Sequence, residues 1–155
     1  MVFIAEIVPK QIVATTARLL YGENYICLPM KHRVFTGHAK KSAEYRWKIK
    51  NRWCTLTAEA LGTPAQPEEG SLEQFITEHY WGYSTQRGGG SLEYHVSHAP
   101  WQAWETNAAG FEGDASALYG AELGRILQRR PESAFIADGS SVIVFKSRKS
   151  VLGKP

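Results

Sequence analysis

Glu78, His79 and Tyr80 stand inside an aromatic-rich stretch, Phe75-Ile-Thr-Glu-His-Tyr-Trp-Gly-Tyr-Ser84. His95 and His98 lie in a second one, Ser91-Leu-Glu-Tyr-His-Val-Ser-His-Ala-Pro-Trp101. A carboxylate beside an imidazole can act as acid and base, and titratable groups among large rings describe a lined cavity. The same alternation also builds any amphipathic hairpin. Neighbours on a strand point to opposite faces, so at most one of Glu78 and His79 faces an interior. A solvated or structural role is the expectation for that pair. His98 shares parity with Tyr94 and Val96 and is expected to face a core or cavity as a hydrogen-bonded partner. His32, in register with Leu28 and Met30, is read the same way. A zinc site from His32, His79, His95 and His98 fits no ligand spacing, and one strand cannot supply both His95 and His98. No metal and no cofactor are expected.

Arg46, Lys48, Lys50 and Arg52 form a basic row on one strand face, with Tyr45, Trp47 and Ile49 on the other. Base stacking needs aromatics on the basic face, so a solvated outer face is expected and no nucleic acid. Gly88-Gly89-Gly90 leads into a strand, which excludes a phosphate loop. No Ser-His-Asp set can be assembled, because Asp114 and Asp138 are read as a cap and a turn. The net charge of +3, from 18 basic and 15 acidic residues, is too small to imply a polyanionic partner. No apolar run approaches a membrane span, and no leader is legible at the start, where Glu6 and Pro9 interrupt the apolar residues. Cys27 and Cys54 sit in strand-like segments and are read as buried thiols, which fits the cytoplasm.

The elements that must position these groups follow from local patterns. Residues 2–6 read as a strand. Pro9 opens a helix with Ile12, Val13, Ala17 and Leu20 on one buried face, ended by Gly22. Residues 25–34 read as a strand, at an edge or bulged because of Pro29. Residues 42–50 alternate; Asn51-Arg52 either close a hairpin onto 53–61 or mark a bulge in one continuous strand. After a loop over 62–70, Ser71 and Gln74 form a capping box. A hairpin over 80–99, an extended segment from 101 to 110 and a helix capped by Asp114 follow. That helix carries Leu118, Tyr119, Leu123 and Ile126, and Pro131 stops it. Residues 134–137 and 141–146 read as a hairpin around Asp138-Gly139. Residues 1–146 make one domain and 147–155 a frayed basic tail. The class is α+β with antiparallel strands dominating, and it lacks the βαβ rhythm of a nucleotide-binding sheet.

Six segments in order carry a resemblance: Ala17-Arg-Leu-Leu-Tyr-Gly-Glu-Asn-Tyr25, Leu28-Pro-Met-Lys-His-Arg33, Glu44-Tyr-Arg-Trp47, the stretch from Phe75 to Tyr83, His98-Ala-Pro-Trp101 and Ala137-Asp-Gly-Ser140. Together they resemble the YqjF-like proteins, a domain of unknown function in the acetoacetate decarboxylase-like superfamily. The resemblance implies a mainly antiparallel, barrel- or cone-like fold around an interior cavity, with a few short helices. Proteins of this kind carry a further N-terminal region before the strand matching Val2-Phe3-Ile4, so the chain is expected to be the C-terminal portion of a larger, YqjF-like domain. The decarboxylase relatives use a Schiff-base lysine in a Gly-aromatic-Pro-Lys-Lys segment; the corresponding Gly22-Glu-Asn-Tyr-Ile26 has none. Lys40-Lys41 follows a glycine turn on the wrong side of the match and is expected to be exposed, which leaves a lysine unactivated.

The resulting expectation is a small-molecule binder whose cavity is lined by Trp47, Tyr94, His98 and Trp101. An enzyme using Glu78 or His98 as acid or base is the alternative, and a structural or assembly module the third reading. Sheet strands with open edges are expected to promote self-association.

Overall fold

The computed structural model describes residues 4–86 and 89–150. The regular structure is mainly antiparallel sheet with a few short helices, and one sheet curls into a half-barrel. A small parallel unit comes first: β1 (Glu6–Val8), α1 (Gln11–Thr16) continuing as a π-helical turn to Tyr21, and β2 (Tyr25–Cys27). This single βαβ unit was not legible in the alternation of the sequence. Its strand starts at Glu6; of the expected strand over 2–6, Val2 and Phe3 lie outside the described residues. Pro9 precedes α1 and Gly22 ends it, but its apolar face is not buried. Only Ala14 is covered, while Ile12 and Leu20 face outward.

Pro29 breaks the expected strand over 25–34 in two, because proline cannot donate to a ladder. Its second part, β3 (Met30–Thr36), is the edge of a five-stranded sheet ordered β3, β4 (Lys40–Ile49), β5 (Arg52–Leu61), β8 (Gln102–Glu112), β9 (Phe135–Asp138). Ile49 pairs with Arg52, so β4 and β5 form a two-residue hairpin through Lys50 and Asn51. Period-2 alternation fills the inner face at both ends. Trp47, Ile49 and Cys54 pack with Met30, Phe111 and Leu118 at one end; Ala60, Trp104 and Ile136 pack at the other.

The second sheet is built on the expected hairpin, β6 (Trp81–Thr85) and β7 (Ser91–Ser97), with β10 (Ile143–Val144) and β11 (Arg148–Ser150) also pairing with β7. Gly88 lies outside the described residues. The hairpin expected around Asp138-Gly139 does not form. β9 pairs with β8, where Ile136 sits opposite Trp104, and the chain then crosses to β7 in the other sheet. Burial of Trp104 and Ile136 outweighs the local turn signal. Of the expected tail over 147–155, residues 148–150 pair with β7, where Arg148 bonds Glu93 across the β7–β11 ladder, and residues 151–155 lie outside the described residues.

α2 (Leu72–Thr77) is capped by Ser71 Oγ, which accepts from Gln74 N at 3.1 Å. The reciprocal arm lands one residue early, on Gly70 N at 2.7 Å. α3 (Ser116–Ile126) starts where Asp114 Oδ1 accepts from Ser116 N, but Gly120 at φ 80°, ψ 166° interrupts it. That conformation is open only to glycine, so the expected single helix is two short pieces. Among the described residues no helix is long and apolar enough to cross a membrane.

Candidate functional site

Parallel pairing of β1 with β2 sets Glu6 beside Tyr25, and the two side chains hydrogen-bond. Glu23 ends the turn just before β2. From the other sheet, Tyr94 of β7 lies across β6 at Gly82, its cross-strand partner, and donates its phenol O–H to Glu23 Oε1 at 2.7 Å. A Cβ at residue 82 would overlap the Tyr94 ring. The ring also meets Tyr21 edge-on at 5.0 Å. Two carboxylates and two phenols thus join the βαβ unit to the β6–β7 hairpin.

Glu23 borders a groove of about 770 Å³ that it shares with Arg18 and Asn24, and the group as a whole borders two further cavities. One, of about 310 Å³, opens beneath α1 against Ile12, Val13 and Ala17. The other, of about 420 Å³, lies along the β6–β7 hairpin, with His79, His98, Trp101 and Tyr83 among its walls. Glu6 lines the second, and Glu23, Tyr25 and Tyr94 line both. Burial raises the Glu6 carboxyl above the usual carboxylate range; Tyr25 partly offsets this by donating to it, and the Glu23 charge adds to the rise. Burial, then the bond to a carboxylate, raises the phenols of Tyr25 and Tyr94 well above their usual value. Both remain O–H donors wherever the protein is folded. Chemically, the wall offers fixed neutral phenol donors and carboxyl acceptors.

The expected residues divide. Tyr94, His98 and Trp101 line the cavity of about 420 Å³ together, and the parity of Tyr94 and Val96 along β7, continued to His98 just past its end, accounts for the first two. His98 stacks between Tyr80 and Trp101, at 4.9 and 4.6 Å between ring centres, and its Nδ1–H donates to Ala99 O at 2.8 Å. That bond directs Nε2 to the acceptor role in the neutral ring. Trp47 lies elsewhere, in the packed core against Phe111. Glu78 does not line the cavity; its carboxylate accepts from Gln74 Nε2 at 3.2 Å at the end of α2, and His79 takes the cavity side. His95 packs between Trp81 and Phe145 on the other face of β7, and His32 is exposed on β3, stacked on Tyr45. Among the described residues no three metal-type side chains converge. The basic row is more tightly held than a solvated face: Arg46 and Lys31 both lie over Trp53, which shares that face.

Lys41 corrects the expectation of an exposed turn. It is inside β4, 7% exposed, ion-paired to Asp138 and 5.7 Å above the Trp104 ring. Asp138 Oδ2 accepts from Trp104 Nε1 at 2.8 Å, so both carboxylate oxygens are engaged. The β4–β5 ladder, which begins at Lys40, carries this side chain inward opposite Ala60, whose small side chain leaves room for it.

A family model for uncharacterised conserved proteins, DUF2071, matches residues 1–141. The chain belongs to the DUF2071 family. All six segments that carry the resemblance to YqjF-like proteins fall inside the match. No curated protein and no solved structure matches the chain. In this DUF2071 chain the residues that the sequence reading missed are Glu6, Glu23 and Tyr25. In the sequence Glu6 is a break in an apolar start, and Glu23 and Tyr25 belong to the segment of the resemblance over 17–25, where a lysine is lacking. Gly82 between Trp81 and Tyr83 was the available signal, since glycine inside a strand often marks close approach of another group.

Proposed function

We propose that the chain binds a small, largely apolar molecule in the cavity beside the β6–β7 hairpin, with no Schiff-base step, on a fold related to acetoacetate decarboxylase. The observation that carries this reading is the cavity itself: about 420 Å³, walled by rings and by a few fixed polar groups. That volume and that mixture are typical of small-molecule sites. Neither lysine nor arginine is among its described lining residues, so no amine stands ready to condense with a carbonyl. The acid–base reading through Glu78 and His98 has less support, because the Glu78 carboxylate is turned to Gln74. A purely structural module has less support too, since rings packed only against one another would leave no such space.

A thermal-shift screen with small aromatic and carbonyl compounds tests the proposal. A ligand at a hundred times its Kd adds about 2.7 kcal/mol to stability, and at least one compound is expected to raise the melting temperature. No stabilisation across the set overturns it. Incubation with a β-keto acid and borohydride should leave the protein unlabelled; mass-spectrometric mapping of a reduced adduct to Lys31, Lys40 or Lys41 restores the decarboxylase reading.

A further inference from the structure

The cavity of about 420 Å³ has a charge that its aromatic walls do not need. Glu6 and Glu23 both reach it, and its described lining residues hold no lysine or arginine; His79 and His98 line it too, and the Nδ1–H of His98 is spent on Ala99 O. The hydrogen bonds they receive come from the phenols of Tyr25 and Tyr94, which are neutral donors. Such bonds orient a carboxylate without cancelling its charge, and each carboxylate keeps acceptor positions beyond the one occupied by a phenol. Trp101, stacked on His98, and Tyr83 are also among its described lining residues, and aromatic rings attract cations through their quadrupole. An anionic ligand would be set against two carboxyl groups. A neutral one would leave the carboxylates desolvated for no return.

We infer that the cavity recognises a small organic cation, an ammonium group carried on an aromatic or aliphatic body, with Glu23 and Glu6 facing the charge and the rings covering the body. The inference rests on the ligand-binding reading above and adds the chemical class. It points away from β-keto acids, which are anions. Gly82 is part of the same arrangement, because it lets Tyr94 reach across the hairpin and fix Glu23.

Three probes that share a phenylethyl body decide it: 2-phenylethylammonium, 2-phenylethanol and 3-phenylpropanoate, titrated into the full chain at neutral pH by calorimetry and by chemical-shift mapping. The ammonium is expected to bind roughly tenfold more tightly than the alcohol, with the carboxylate weakest. In Glu23→Gln, which keeps an acceptor for Tyr94, the preference for the ammonium should collapse while the alcohol binds as before. If that variant does not fold, as judged by its melt, Glu6→Gln carries the same comparison. Alcohol or carboxylate binding as tightly as the ammonium overturns the inference but leaves the binding cavity standing. A preference for the ammonium that survives the glutamine substitution, or shifts that map away from Tyr94 and Trp101, also overturns it. Failure of all three probes to bind at millimolar concentration overturns both the inference and the reading it rests on.

Discussion

Tyr94 reaches Glu23 because residue 82 has no side chain, and that dependence can be measured. In Gly82→Ala the new methyl group overlaps the Tyr94 ring. The ring must move off β6, which breaks the bond to Glu23 and the contact with Tyr21. Forcing an extra carbon into a packed site costs about 1–3 kcal/mol; urea unfolding is expected to show a loss in that range, and an unchanged midpoint contradicts the geometry. Glu6 provides a second residue-scale test, with a definite sign. Its carboxyl is raised in the folded protein, chiefly by burial. The folded state therefore holds this proton more tightly than the unfolded chain does. Stability from this group is full below the ordinary carboxylate range and is lost as pH rises through the folded value. Glu6→Gln removes that loss while keeping an acceptor for Tyr25. The variant should melt higher than the parent near neutral pH and equal to it at about pH 4. A melting difference independent of pH contradicts the assignment.

At the scale of elements, what the sequence made legible was local, and what it hid was pairing. Period-2 alternation along β7 placed Tyr94 and His98 on one face and His95 on the other, because side-chain direction in a strand follows from parity alone. Glu6 and Tyr25 come together only through the parallel pairing of β1 with β2, a choice of partner that no local pattern encodes. Asp138-Gly139 carried a strong turn signal, yet the partner of β9 was decided by Trp104 and Ile136, which bury each other across β8 and β9. The same pairing brings Asp138 to Lys41 and ties β4, β8 and β9 together. Asp138→Ala should therefore be costly. It leaves a buried ammonium and an indole N–H without their acceptor, and breaking a buried pair from one side costs about 3–5 kcal/mol, less here because the Asp138 side chain is 36% exposed. Lys41→Met removes the charge together with its demand for a partner and should cost markedly less. Equal losses in the two variants, measured by denaturant unfolding, rule out a desolvated lysine as the source.

For the whole molecule, the notable quantity is the apolar surface left outside. Ile12 and Leu19 are 73% and 77% exposed on the helical segment, and Phe35 is 58% exposed on the edge strand β3. Soluble monomers seldom expose contiguous apolar patches beyond a few hundred Å², and each fully buried large apolar side chain contributes about 1.5–3 kcal/mol. Two surfaces compete as the place of contact. The β3 edge has unpaired backbone groups, but Lys31 and Arg33 stand on it, and like charges oppose edge-to-edge pairing. The α1 face carries no such charge among Ile12, Val13, Leu19 and Leu20. We therefore expect the chain to self-associate and to bind a hydrophobic dye, chiefly through that helical face. Size-exclusion chromatography should show a species larger than the monomer. Because burial of apolar area drives it, sulfate should strengthen the association, whereas pairing limited by edge charges would respond to any salt through screening. Replacing Ile12 and Leu19 by glutamine should shift the elution toward the monomer and remove any dependence of the melting temperature on protein concentration. A monodisperse, dye-silent monomer with one sharp thermal transition would show that these side chains need no cover.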